Sequence, residues 1–226
     1  MHTMKEPRWG VALATCLLVL SGSSAATTLF DDDFNDGNAN GWAEFDGVFS
    51  VTGGSYRIES IGFFNDARAL NGSPLLDDFV LEADFNMLNR EKTAFLFRAT
   101  DIQSGTDAGK YYQFEVIASQ DLVQFCEIDF SDGACSILAT APLVVSDNAW
   151  HQLELEVIGD SATAFIDSSV VLSVSGLTKY HSGQIGLKTI NSGVTLFDNI
   201  HVIAVPEPST SILLGTGLLF LARYRH

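Results

Sequence analysis

Glu127-Ile128-Asp129-Phe130 places two carboxyls at alternate positions. Alternate residues of a strand point to one face, so the two acids can stand side by side. A retaining glycoside hydrolase uses a carboxyl pair of this kind, about 5–5.5 Å apart. Where a third alternating acid would complete the set, Ser131 stands instead. A bulged strand offers Asp132 in its place, on a side chain one methylene shorter than Glu. The segment runs directly into the turn signal Ser131-Asp132-Gly133, and a turn is a poor place to hold catalytic geometry. The reading is therefore a solvated acidic turn. Hydrolysis by Glu127, Asp129 and Asp132 is the alternative.

Other residues suit binding rather than catalysis. Asp33 and Asp36 near the start, with Asp198 near the end, could share a structural calcium, which takes six to eight oxygen ligands. They converge if the first and last strands are neighbours; otherwise they are a solvated acidic start. Tyr111, Gln113 and Glu115 fall on the polar phase of one strand pattern, and Phe165 falls on the polar phase of another. If those strands share a sheet, the four make an aromatic and polar patch suited to a sugar ring. His151 and His201 lack a nucleophile motif and read as packing or edge residues. Trp42 and Trp150 read as core.

Such side chains need strands to position them. Leu81, Ala83, Phe85 and Met87 alternate with Glu82, Asp84 and Asn86; Leu153, Leu155 and Val157 alternate with Glu154 and Glu156. This is the period-two pattern of half-buried strands. Gly53-Gly54, Ser104-Gly105, Gly159-Asp160 and Ser175-Gly176 punctuate them as turns. Many short strands without an amphipathic helix predict an all-β, antiparallel two-sheet jelly-roll sandwich.

The ends of the 226-residue chain read differently. Lys5 and Arg8, an apolar run from Val11 to Leu20 and the small residues Ser21 to Ala26 have the order of a secretory signal peptide. The expected divisions are a signal helix over 1–26, one domain over 27–204 and a tail with an apolar helix over 205–226. The middle carries 26 acidic against 8 basic side chains, a net charge of −18. Such a surface repels phosphate backbones, which argues against a nucleic-acid partner. Cys126 and Cys135 are an even pair in an exported chain and read as a disulfide across a hairpin, with free thiols as the alternative.

Val205-Pro206-Glu207-Pro208-Ser209, the apolar stretch Ile212 to Ala222 and an end bearing Arg223 and Arg225 resemble a PEP-CTERM sorting signal. The resemblance implies an exosortase and the secretion machinery as partners, with transient membrane contact through the tail. It places the protein in the cell envelope, at the surface or in the extracellular matrix. The middle resembles the concanavalin A-like lectin/glucanase superfamily, in its laminin-G-like branch, at four places. These are Asp33-Phe34-Asn35-Asp36-Gly37 with Gly41-Trp42; Asn148-Ala149-Trp150-His151; Phe165-Ile166-Asp167; and Ser182-Gly183-Gln184-Ile185-Gly186-Leu187 with Phe197-Asp198-Asn199-Ile200. Glu127-Ile128-Asp129-Phe130 is similar to the motif of laminarinase-type hydrolases, and the 3-keto-disaccharide hydrolase-like group shares the plan. The resemblances imply an exported, non-catalytic glycan-binding jelly roll with an extracellular polysaccharide partner. The alternatives are a polysaccharide hydrolase and a structural surface protein without a small ligand.

Overall fold

The computed structural model of the chain describes residues 27–62, 66–71, 75–130 and 135–205. In chain order its strands are β1 (Thr27–Asp32), β2 (Trp42–Phe45), β3 (Gly47–Thr52), β4 (Ser55–Ser60), β5 (Asp66–Asn71), β6 (Phe79–Met87), β7 (Lys92–Thr100), β8 (Lys110–Ile117), β9 (Leu122–Asp129), β10 (Cys135–Pro142), β11 (Trp150–Ile158), β12 (Ser161–Ile166), β13 (Ser169–Ser175), β14 (Gln184–Ile190) and β15 (Val194–Ala204). Among the described residues no helix is long and apolar enough to cross a membrane. The expected signal and tail helices, the sorting residues Pro206, Glu207, Pro208, Arg223 and Arg225, and the turn residue Asp132 lie outside the described residues.

Two antiparallel sheets pack face to face. Sheet A runs β13-β12-β11-β6-β15-β4-β3, with β1 added on β15; sheet B runs β10-β9-β8-β7-β14-β5-β2. The first and last strands therefore do pair, with Asp32 opposite Ile200. Alternation explains which side chains fill the space between the sheets. Leu81, Ala83, Phe85 and Met87 of sheet A meet Phe95, Phe97, Tyr112, Phe114 and Val116 of sheet B. Phe95 sits edge-on to both Phe85 and Phe197, at 5.5 and 5.8 Å between ring centroids, an arrangement aromatic quadrupoles favour. Each such buried ring contributes about 1.5–3 kcal/mol.

The two outer faces differ. Sheet A keeps the expected wet face, with Glu82, Asp84, Glu154 and Glu156 at least partly exposed. Sheet B buries both faces: Leu70, Ala94, Leu96, Ala99, Tyr111, Cys126 and Ile128 form a second apolar cluster on its outer side. Period-two alternation correctly assigns the phase of Tyr111, Gln113 and Glu115, but that phase is buried rather than wet. Trp42 is core as expected. Trp150 is 47% exposed, because it shares the outward phase of Gln152 and Glu154 rather than the inward phase of Leu153 and Leu155.

Candidate functional site

The outer side of sheet B carries a buried charged network. Arg68 on β5 lies directly across from Lys188 on β14. Two like charges opposite each other in a ladder are unfavourable, and carboxylates offset this. Asp66 lies 2.9 Å from the Lys188 ammonium and 3.6 Å from the Arg68 guanidinium. Asp107, from the loop before β8, accepts from Lys188 at 2.6 Å, and Asp46 accepts from Arg68 at 3.0 Å. Arg68 also donates to the carbonyls of Gln103, Gly105 and Ala108, which ties that loop across the sheet. Lys188 further donates to Tyr111 Oη at 3.2 Å and Gln113 Oε1 at 3.3 Å. Glu115 accepts from the side-chain amides of Gln113, at 2.7 Å, and Gln124.

Protonation states follow from these contacts. Burial alone would raise the Asp107 carboxyl, but the Lys188 charge, its hydrogen bond and that of the Tyr111 hydroxyl outweigh it and hold it below its ordinary value. Burial opposes the charge on Lys188, yet the oxygens of Tyr111, Asp66 and Asp107 raise its pKa. Burial pushes the Tyr111 hydroxyl up to about 12. A lysine held protonated is a fixed cation, whereas a nucleophilic amine needs a lowered pKa. The network is therefore a set of fixed ion pairs and hydrogen bonds within the sheet.

The disulfide forms between Cys126 and Cys135, with their Cα atoms 5.4 Å apart. It joins β9 to β10 beside Glu115 and Gln124, and both sulfurs are consumed by the bond.

The remaining candidates disperse. Phe165 lies on β12 in sheet A, so it cannot join Tyr111, Gln113 and Glu115 on β8 in sheet B. The four-residue patch is corrected on two grounds: its strands belong to opposite sheets, and its three β8 members are buried. Glu127 and Asp129 do share a face, but it is the inward phase of Val123 and Phe125, near its margin. Both pair with Lys179, at 2.6 and 3.0 Å. The expected solvated turn is therefore an ion-paired strand end. His151 bonds Asp167 at 2.8 Å and the Ser146 carbonyl at 3.0 Å, while packing on Phe85.

Among the described residues Asp33, Asp36 and Asp198 are not gathered into a metal-ligating cluster. Asp33, Asp36 and Asp198 each use one oxygen on a neighbouring backbone N–H: Asn35 at 3.1 Å, Asn38 at 3.1 Å and Asn199 at 2.7 Å. Burial, then the charges of Asp84, Asp33 and Asp32, push the Asp198 carboxyl above its ordinary value. Nearby on sheet A, a cavity of about 320 Å³ is lined by Asp31, Glu82, Asp84, Gln152, Asn199 and His201. There His201 bridges Glu82 at 3.2 Å and Thr28 at 3.1 Å.

The network residues Lys188, Arg68, Asp66 and Asp107 do not stand out in the sequence. The one signal is polar residues on alternate positions of segments otherwise apolar enough to be buried, as in Asp66-Ala67-Arg68-Ala69-Leu70.

Residues 26–203 match the 3-keto-alpha-glucoside-1,2-lyase-like domain. The chain belongs to this family. Residues 204–225 match the PEP-CTERM protein-sorting motif, which marks the protein for export across the inner membrane to the cell surface or extracellular space and implies exosortase processing. The levanase of Bacillus subtilis (strain 168) is 27% identical over 166 residues, 72% of this chain. The match spans about a quarter of that enzyme's length, 23%. The carbohydrate binding module CBM66 from Bacillus subtilis is similar at 26% identity and a TM-score of 0.62, over 74% of this chain and 98% of the module. The Bacillus licheniformis beta-glucanase shares the fold at 15% identity and a TM-score of 0.58, over 80% of this chain and 99% of the enzyme. The domain thus resembles both carbohydrate-binding and carbohydrate-cleaving proteins.

Proposed function

We propose that the domain is a non-catalytic glycan-binding module, carried by an exported protein of the cell surface or extracellular matrix, with a polysaccharide as its partner. The observation that carries the reading is the likeness to CBM66, at 26% identity over 98% of that carbohydrate binding module. Catalysis on a sugar is the second reading, favoured by the family description and the levanase relative.

The deciding experiment passes the purified protein over immobilised levan, β-1,3-glucan and α-glucan, then assays the same polymers for new reducing ends and a 3-keto-α-glucoside for cleavage. Retention without cleavage is expected. Cleavage of any substrate establishes the enzyme, and the absence of both retention and cleavage favours a structural surface protein. We propose further that Asp33, Asp36 and Asp198 draw together around a structural calcium: the charge of Asp33 already acts on Asp198, and backbone carbonyls and water would complete the set of six to eight ligands.

A further inference from the structure

At the end of sheet B, beside the loop that Arg68 ties down, is a smaller cavity of about 170 Å³. It is lined by Asp101, Gln103, Ala108, Gly109, Lys110 and Phe130. Phe130 follows Cys126 and Ile128 in the outward phase of β9, but where those two are buried it is 62% exposed. An apolar ring of that size in water, on the wall of a cavity, has no role in the core.

The backbone at Phe130 is held in place. Its backbone N–H donates to the Gly109 carbonyl at 3.0 Å, which extends the β8–β9 pairing by one step. Phe130 also lies within the loop closed by the Cys126–Cys135 disulfide. Opposite it in the ladder, Gly109 lets the Ile102 side chain approach closely: a Cβ there would stand 2.3 Å from Ile102 Cδ1. The lining also carries polar side chains. Lys110 and Asp101 form an ion pair at 2.8 Å, with side chains 46% and 62% exposed. The ammonium has three donors and the carboxylate about four acceptor positions, so the pair keeps most of its hydrogen-bonding capacity.

We propose that Phe130, Lys110 and Asp101 form a subsite for a single neutral sugar ring. The apolar C–H face stacks on Phe130, and two neighbouring hydroxyls span Lys110 and Asp101, one accepting from the ammonium and one donating to the carboxylate. The cavity, of about 170 Å³, suits one ring, so the contact is made with one sugar unit of the polysaccharide. The paired charges leave the subsite without net charge, which suits a neutral sugar. This inference rests on the glycan-binding reading above and places its first contact.

The test uses the full chain with levan, β-1,3-glucan and α-glucan as probes, and free fructose and glucose as competitors. Phe130→Ala should weaken binding to the retained polymer about three- to tenfold, the range expected for losing one aromatic contact. Phe130→Trp should keep it, and Lys110→Met should weaken it without adding salt dependence. The matching monosaccharide should displace the polymer from the wild type and not from Phe130→Ala. Melting temperatures should stay at the wild-type value, since the ring is exposed. Wild-type retention with an unchanged Phe130→Ala variant overturns the subsite and leaves the glycan reading standing. No retention of any probe by the wild type overturns both.

Discussion

Lys188→Met is the sharpest probe of the sheet-B network. Methionine nearly matches the lysine stem in length, so little cavity opens and the loss is chiefly of charge. The side chain is 1% exposed and pairs with Asp66, also 1% exposed, and with Asp107, 23% exposed. Removing one partner of a buried pair costs about 3–5 kcal/mol, because the other charge is left without compensation. Asp66 would retain Arg68, at 3.6 Å, and the Asp107 backbone N–H, at 3.1 Å. A domain of about 180 residues unfolds with an entropy of roughly 0.4 kcal/mol/K, so the melting temperature should fall by roughly 8–13 °C. Adding Asp66→Asn removes the stranded charge. The double variant should therefore be more stable than the sum of the single losses predicts, by about 0.5–3 kcal/mol. Calorimetry of the four proteins at one pH measures both quantities. A Lys188→Met melting temperature within 2 °C of the wild type, with strict additivity in the cycle, would refute the claim that these charges hold one another in place.

Three further outcomes are expected. Asp107 and Asp167 are held below the ordinary carboxylate value, so their stabilisation is complete above the unfolded value near 4 and should disappear as pH falls beneath it; a melting temperature that does not drop below pH 4 counts against both assignments. Asp198 is raised, so the opposite sign holds: Asp198→Asn in chelator should melt no lower than the wild type, while millimolar calcium should raise the wild type and leave the variant unmoved, and equal wild-type curves with and without calcium would remove the ion from the proposal. Intact-mass analysis of material secreted by a host with an exosortase should give a chain beginning near Thr27 and ending near Pro206, and a full-length cytoplasmic product would contradict that processing.

Much of the fold was legible because alternation is local. The polar and apolar phases of Leu81–Met87, Tyr111–Val116 and Leu153–Val157 are properties of consecutive residues, and each phase settles which side chains face the core once a strand forms. The cystine was legible for a similar reason: an even count with a turn between the two residues. The tail and the opening acidic run carry their own signals. The strand β5 was not legible, since Asp66 and Arg68 look like a solvated segment until Lys188 is placed opposite them.

What the sequence by itself determined is therefore the strand phases, the fold class, the disulfide and the address for export. The tertiary structure alone decided which of the two non-core faces is wet. Tyr111, Gln113 and Glu115 have the composition of an exposed stripe and are buried; Trp150 reads as core and is exposed. The same physics assigned Phe165 and Tyr111 to opposite sheets and set Lys188 beside carboxylates 81 and 122 residues earlier in the chain. Burial and charge pairing are sums over neighbours that come from distant strands. A residue's own type and spacing fix what it can offer, and only the packed sheets fix what it meets.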